Sequence, residues 1–134
     1  GRLAVLPIDP RSGGTWLAVN DAGLLLALLN VNPPGPAPAP RPAGRSRGEV
    51  IPALLGCDSP AAAVGAVGRV IPYAEFAPFR LVLVGSGVVA DVRWDGTRAM
   101  VVSRLIGHEP LLYTSSGLGD HLVEDVRRGL FADH

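Results

Sequence analysis

Apolar residues fall in short blocks separated by turn formers, and the period of the pattern changes three times along the chain. Thr15–Asn20 and Leu24–Asn30 read as two strands joined by Asp21-Ala22-Gly23, where Gly23 can supply a positive φ. Leu24–Leu29 is apolar without a break, as in a strand covered on both faces. Residues 1–11 carry Pro7 and Pro10 and predict irregular chain. Asn32–Gly44, rich in Pro, Ala and Gly, predicts an extended surface loop. Ser46 and Glu49 have capping-box spacing, so a helix should open there and be limited by Pro52. Ser59 followed by Pro60 opens a second helix, Ala61 to about Val70.

Phe79–Val84, Val88–Trp94 and Arg98–Arg104 then predict three antiparallel strands, turned at Gly85-Ser86-Gly87 and at Asp95-Gly96. Leu111–Thr114 suits one more short strand. Asp120 reads as the N-cap of a closing helix to Phe131, with Leu122, Val126 and Leu130 on one stripe. Helices come in blocks and do not alternate with strands. The pattern therefore predicts an α+β fold of layered antiparallel sheet and helix within a single domain, residues 1–134.

Composition changes this picture in four places. A hydrophobic fraction of 48% with only 5% aromatics means that Val, Leu, Ile and Ala must fill the core. All twelve cationic residues are arginine, scattered along the chain and balanced by twelve acids, which suggests a GC-rich gene, such as a bacterial one, and argues against a nucleic-acid partner. Cys57 is the one cysteine, so no internal disulfide forms, and a small buried residue is its expected role. No stretch approaches the ~18–20 apolar residues of a membrane span, and no signal peptide is visible; a cytoplasmic protein is the expectation. No phosphate loop, dinucleotide fingerprint or zinc spacing is present, so neither a cofactor nor a metal is expected.

"GGTWLAVNDAGLLLALLN", "SRGEVIPALL", "FAPFRLVLV" and "YTSSGLGDHLVEDVRRGLF" occur in the order seen in the NRDE family, also called the transport-and-Golgi-organisation family. The chain resembles that family over nearly its whole length. The resemblance implies a fold similar to N-terminal-nucleophile hydrolases: an αββα sandwich of two antiparallel sheets between helices. It also implies a Met-Cys start and an Asn-Arg-Asp-Glu motif, neither of which lies in this sequence, so the expectation is a chain incomplete at its N-terminus.

In that chemistry a thiolate attacks a carbonyl, the chain's own α-amine takes the proton, and fixed donors stabilise the oxyanion. The resemblance makes Asn30 the candidate oxyanion donor, with Asn20 a weaker one that reads first as a turn residue, its side chain bonding the backbone two residues on. Thr15, Trp16, Asn32 and Arg47 are the candidate substrate-binding residues. The function implied is hydrolysis of a linear amide or acyl bond, with the nucleophile upstream of Gly1. The alternative is non-catalytic handling of an apolar small molecule such as haem or lipid, for which His108, Tyr113 and His121 are ligand candidates by residue type alone. Ser115, Ser116, Asp120 and His121 lie too close in sequence to form a relay, and a loop-and-cap role is expected of them.

Overall fold

In a computed structural model, residues 1–32, 44–116 and 119–132 are described. Six strands form one antiparallel sheet in sequence order: β1 (Ala4–Val5), β2 (Leu17–Asn20), β3 (Leu25–Asn30), β4 (Phe79–Gly85), β5 (Val88–Trp94) and β6 (Ala99–Leu105). Helix α1 (Pro60–Val70) follows the hairpin half of the sheet, and α2 (Asp120–Ala132) closes the described chain. The α+β class expected from the pattern is the one observed. Of the four layers implied by the resemblance, the described residues supply one sheet and its helical cover.

Helix α1 and the turns before it cover one face. The register Ala18↔Leu26↔Leu83↔Ala90 places these side chains in one row, and Leu81 with Val92 forms the next. All are buried, together with Ala63 and Val67 from α1, and Val50, Ile51 and Leu54 from the turns before it. Phe76 and Phe79 meet edge-on, Tyr73 lies against Phe79 and Trp94, and the Trp94 indole donates to the Phe76 carbonyl at 3.1 Å. With so few aromatics, this cluster closes one end of the core. The opposite face carries Leu17, Val19, Leu25, Ala27 and Leu29 on the hairpin side, and Val5, Leu17 and Val19 are well exposed there. The unbroken apolar run of β3 is thus deeply buried only at the residues that face α1.

Several local expectations are corrected. Residues 1–11 are not wholly irregular: Ala4 and Val5 pair with Asn20 and Val19, because the free edge of β2 leaves backbone groups that an extended segment can satisfy. Ser46 and Glu49 do form the capping box, but the element is a 3-10 turn, Arg47–Glu49, followed by another at Pro52–Leu54. Pro52 denies the backbone donor that an α-helix needs there. A third such turn, Tyr73–Glu75, had no sequence signal assigned to it. Leu111–Thr114 is not a strand. The Asp120 carboxylate does not cap α2; it accepts from the backbone N–H of Ser116 at 2.7 Å and of Asn32 at 3.1 Å. The Leu122, Val126 and Leu130 stripe of α2 is exposed. The proline-rich loop expected at residues 32–44 lies, from 33 to 43, outside the described residues.

Candidate functional site

The site grows from a contact between the two glycine-containing motifs. Gly14 and Gly48 meet backbone to backbone: a Cβ on Gly14 would stand 2.7 Å from the Gly48 Cα, and the reverse distance would be 2.8 Å. Only hydrogen fits on either side. The contact is clamped by the Thr15 N–H, which donates to the Gly48 carbonyl at 3.1 Å. Gly13, at φ 70°, turns the chain into this contact, and its N–H donates to the Asp9 carbonyl at 2.8 Å. The double glycine therefore serves close approach of one protein backbone to another.

Where these segments cross, a cleft of about 570 Å³ opens beside the start of β2 and the end of β3. Four of the six residues expected at a site line it: Thr15, Trp16, Asn30 and Arg47. Asp9, Ser12, Ser46 and Ser115 complete its polar wall, and Leu28 and Leu29 its apolar one. Trp16 is 52% exposed, so its ring is cleft wall and not core. Thr15 is buried, and its hydroxyl is turned onto Leu17, donating to that carbonyl at 2.9 Å.

Asn30 and Arg47 have binding capacity to spare. The Asn30 backbone belongs to the sheet, paired with Phe79, while its side-chain amide has no hydrogen-bond partner among the described residues. Arg47 donates one bond, from Nη1 to the Pro78 carbonyl at 2.9 Å, and has no acid partner among the described residues. Burial pulls its guanidinium below the ordinary value without threatening its charge. Neighbouring Arg45 is fully engaged: it pairs with Glu49 at 2.7 Å, reaches Glu75 and lies over the Phe76 ring. The two arginines that flank Ser46 thus divide into a structural one and a free one.

The other two candidates lie outside the cleft. Asn20 is buried, and its amide donates to the carbonyls of Leu55 at 3.0 Å and Cys57 at 2.7 Å while its oxygen accepts from Ala22 and Leu24 N–H. Asn32 binds the start of α2, donating from Nδ2 to the Ser116 carbonyl at 2.6 Å and from its backbone to Asp120.

Asp9 and Ser12 were missed at the sequence level. The Ser12 hydroxyl donates to Asp9 Oδ2 at 2.7 Å, and this bond, with help from the Arg11 N–H, holds the carboxyl below the usual carboxylate range. The signal available was Asp9-Pro10-Arg11-Ser12 itself, an Asx-turn sequence placed just before the double glycine. Cys57 is not among the cleft residues, and burial followed by Asp58 pushes its thiol upward, away from the thiolate a nucleophile needs. No group of His, Cys, Asp and Glu able to hold a metal occurs among the described residues. None of their helices is long and apolar enough to cross a membrane.

An antiparallel α+β sheet with a cleft at the crossing of two glycine motifs defines the class. Residues 4–106 match the family described as Transport and Golgi organisation 2, and the chain belongs to that family. The NRDE naming reached from the motifs is consistent with this match. The search of curated proteins returned no match to the chain.

Proposed function

We propose that this chain forms part of a hydrolase of linear amide or acyl bonds, with the attacking thiolate supplied by sequence N-terminal to Gly1. One observation carries the reading: an unengaged side-chain amide and an unpaired guanidinium, Asn30 and Arg47, line the same cleft. The thiolate adds to the substrate carbonyl carbon, and the Asn30 N–H donates to the oxygen as it gains charge. The C–N bond then breaks, and the leaving amine takes the proton held by the α-amine, leaving a thioester that water hydrolyses. Arg47 binds a carboxylate on the substrate, and Trp16 with Leu28 and Leu29 receives its apolar part.

The test is turnover of acyl-amide substrates by the full gene product. Replacing its first cysteine should abolish turnover, and Asn30→Ala should lower kcat by roughly 10²–10³-fold, as loss of one oxyanion donor does. Unchanged turnover in the cysteine variant would remove the hydrolase reading.

A second reading, carriage of an apolar small molecule such as haem or lipid, rests on a different observation. An apolar trough of about 310 Å³ lined by Leu17, Ala27, Leu29, Val82 and Tyr113 opens beside Trp16. Of the three haem-ligand candidates, Tyr113 alone lines it. Haem titration of the full gene product with no Soret shift would count against haem as the cargo.

A further inference from the structure

The face of the sheet opposite α1 carries a second polar site, distinct from the cleft. Its register rows run Leu29↔Arg80↔Arg93↔Met100, Ala27↔Val82↔Asp91↔Val102 and Leu25↔Val84↔Val89↔Arg104. Among aliphatic neighbours, three arginines therefore surround one carboxylate. Arg80 and Arg93 stand directly opposite each other on adjacent strands, a like-charge arrangement that costs stability unless something negative lies between or above them. Asp91 pairs with Arg80 at 3.3 Å and also feels the charges of Arg93 and Arg104. Arg93 also acts on Asp95, so Asp91 is left to offset Arg80 and Arg104 together.

The surroundings are half-buried at Arg80, Asp91 and Tyr113 and open to solvent at Arg104. Residues 110–113 pass over Arg80, Asp91 and Arg104 and enclose a cavity of about 280 Å³, with Arg128 and Phe131 of α2 at its rim. Arg128 is already neutralised by Glu124 at 2.6 Å. Arg80 lies over the Tyr113 ring at 5.7 Å. The Tyr113 hydroxyl and Arg93 Nε are buried without a hydrogen-bond partner, Arg80 Nε faces Asp91 Oδ1 at 3.3 Å as an ion pair without hydrogen-bond geometry, and Arg104 has no ion-pair partner among the described residues. A buried donor without an acceptor is costly, and of these the Tyr113 hydroxyl lies in the cavity wall, where an oxygen-rich anion would satisfy it.

We propose that this cavity binds a phosphate group, with Arg80 and Arg104 as its charged walls, Arg93 behind them and the Tyr113 hydroxyl as an added donor. Arg80 and Arg104 outnumber Asp91 in the cavity wall, which favours an anion, and the planar guanidinium fork suits phosphate oxygens. Leu111, Leu112 and Phe131 line the rest of the cavity, so either free phosphate or an aryl or alkyl phosphate ester could present that group.

The experiment is isothermal titration of the purified protein with inorganic phosphate and, separately, with phenyl phosphate, against sodium chloride at matched ionic strength. Saturable phosphate binding is expected, weakened about tenfold or more in Arg104→Gln through loss of a charge-assisted bond. Arg104 sits on exposed β6, so this variant should keep its fold; Tyr113→Phe, which removes only the hydroxyl, should weaken binding by less. Tighter binding of phenyl phosphate would identify an ester as the ligand, and equal or weaker binding free phosphate. A phosphate response no larger than that of chloride, or one that Arg104→Gln leaves unchanged, overturns the proposal.

Discussion

Asn20 shows how one side chain can join parts of the chain far apart in sequence. Its amide donates to carbonyls at Leu55 and Cys57, and its oxygen closes the β2–β3 turn through Ala22 and Leu24. All four polar positions of the side chain are matched, and the residue is 4% exposed. Asn20→Ala should therefore cost about 2–4 kcal/mol, since buried backbone groups at both ends lose their partner. Asn20→Asp is the sharper variant. Its carboxylate keeps the bonds to the turn N–H groups but turns an acceptor toward two carbonyl oxygens. Chemical denaturation should find Asn20→Asp at least as destabilised as Asn20→Ala at neutral pH and partly relieved in acid, where the protonated carboxyl donates again. Equal stability of wild type and Asn20→Ala would show that these bonds contribute nothing. At Asn30 the same residue type, also at a strand end, has its amide free. The turn sequence after Asn20 signals the bonds its oxygen accepts, but the two its amide donates come from the turns near residue 55, which lie beside one strand end and not the other.

At the scale of elements, the crossing of Gly14 and Gly48 is what brings the cleft walls together. The sequence shows both motifs and a capping box, but not that their glycines touch. That contact joins residues separated by a long stretch of chain, and periodicity carries no such information. The strands and α1 were legible because their signals are local: alternation, Ser59-Pro60, Asp95-Gly96. β1 was not, because a two-residue strand just ahead of Pro7 has no period and exists only through the edge it joins. Gly14→Ala should disrupt the crossing, since its Cβ would meet backbone at 2.7 Å and backbone cannot rotate aside. A loss of about 1–3 kcal/mol, the range for overpacking, is expected, together with altered accessibility of Arg47. Gly13→Ala makes a useful contrast: its Cβ would meet nothing within 4 Å, but its φ of 70° carries a backbone penalty of roughly 1–2 kcal/mol. Comparing the thermal melts of both variants separates steric from conformational cost. If Gly14→Ala melts with the wild type, the crossing does not organise the cleft.

For the whole molecule, the two polar sites sit on one scaffold with net charge zero, so their electrostatics depend on where charges lie and not on their sum. Acid titration reads this distribution. Asp9, Glu49 and Asp95 all have lowered folded pKa values, owing first to the Ser12 hydroxyl, to the hydrogen bond from Arg45 and to the Arg98 N–H respectively. A carboxyl lowered in the folded state contributes stability that is fully present above its unfolded value, near 4, and is lost as pH falls through the folded value. Asp91 has the opposite sign. Burial, partly opposed by Arg80, Arg93 and Arg104, raises its folded pKa, so the folded protein takes up a proton there before the unfolded chain does. Its contribution therefore grows as pH falls toward about 4 and is constant below it. The two signs occupy different windows, which makes them separable in one experiment. Melting temperature measured from about pH 6 down to about pH 2 should decline most steeply below about pH 4. Glu49→Gln should flatten that lower limb, and Asp91→Asn should remove the gain above it while leaving the lower limb intact. Saturating phosphate should enlarge the Asp91 contribution if the cavity above it is filled, because an anion beside this carboxyl offsets the arginines that oppose its raised pKa. Curves for both variants that run parallel to wild type over the whole range would show that neither carboxyl is held as its surroundings require.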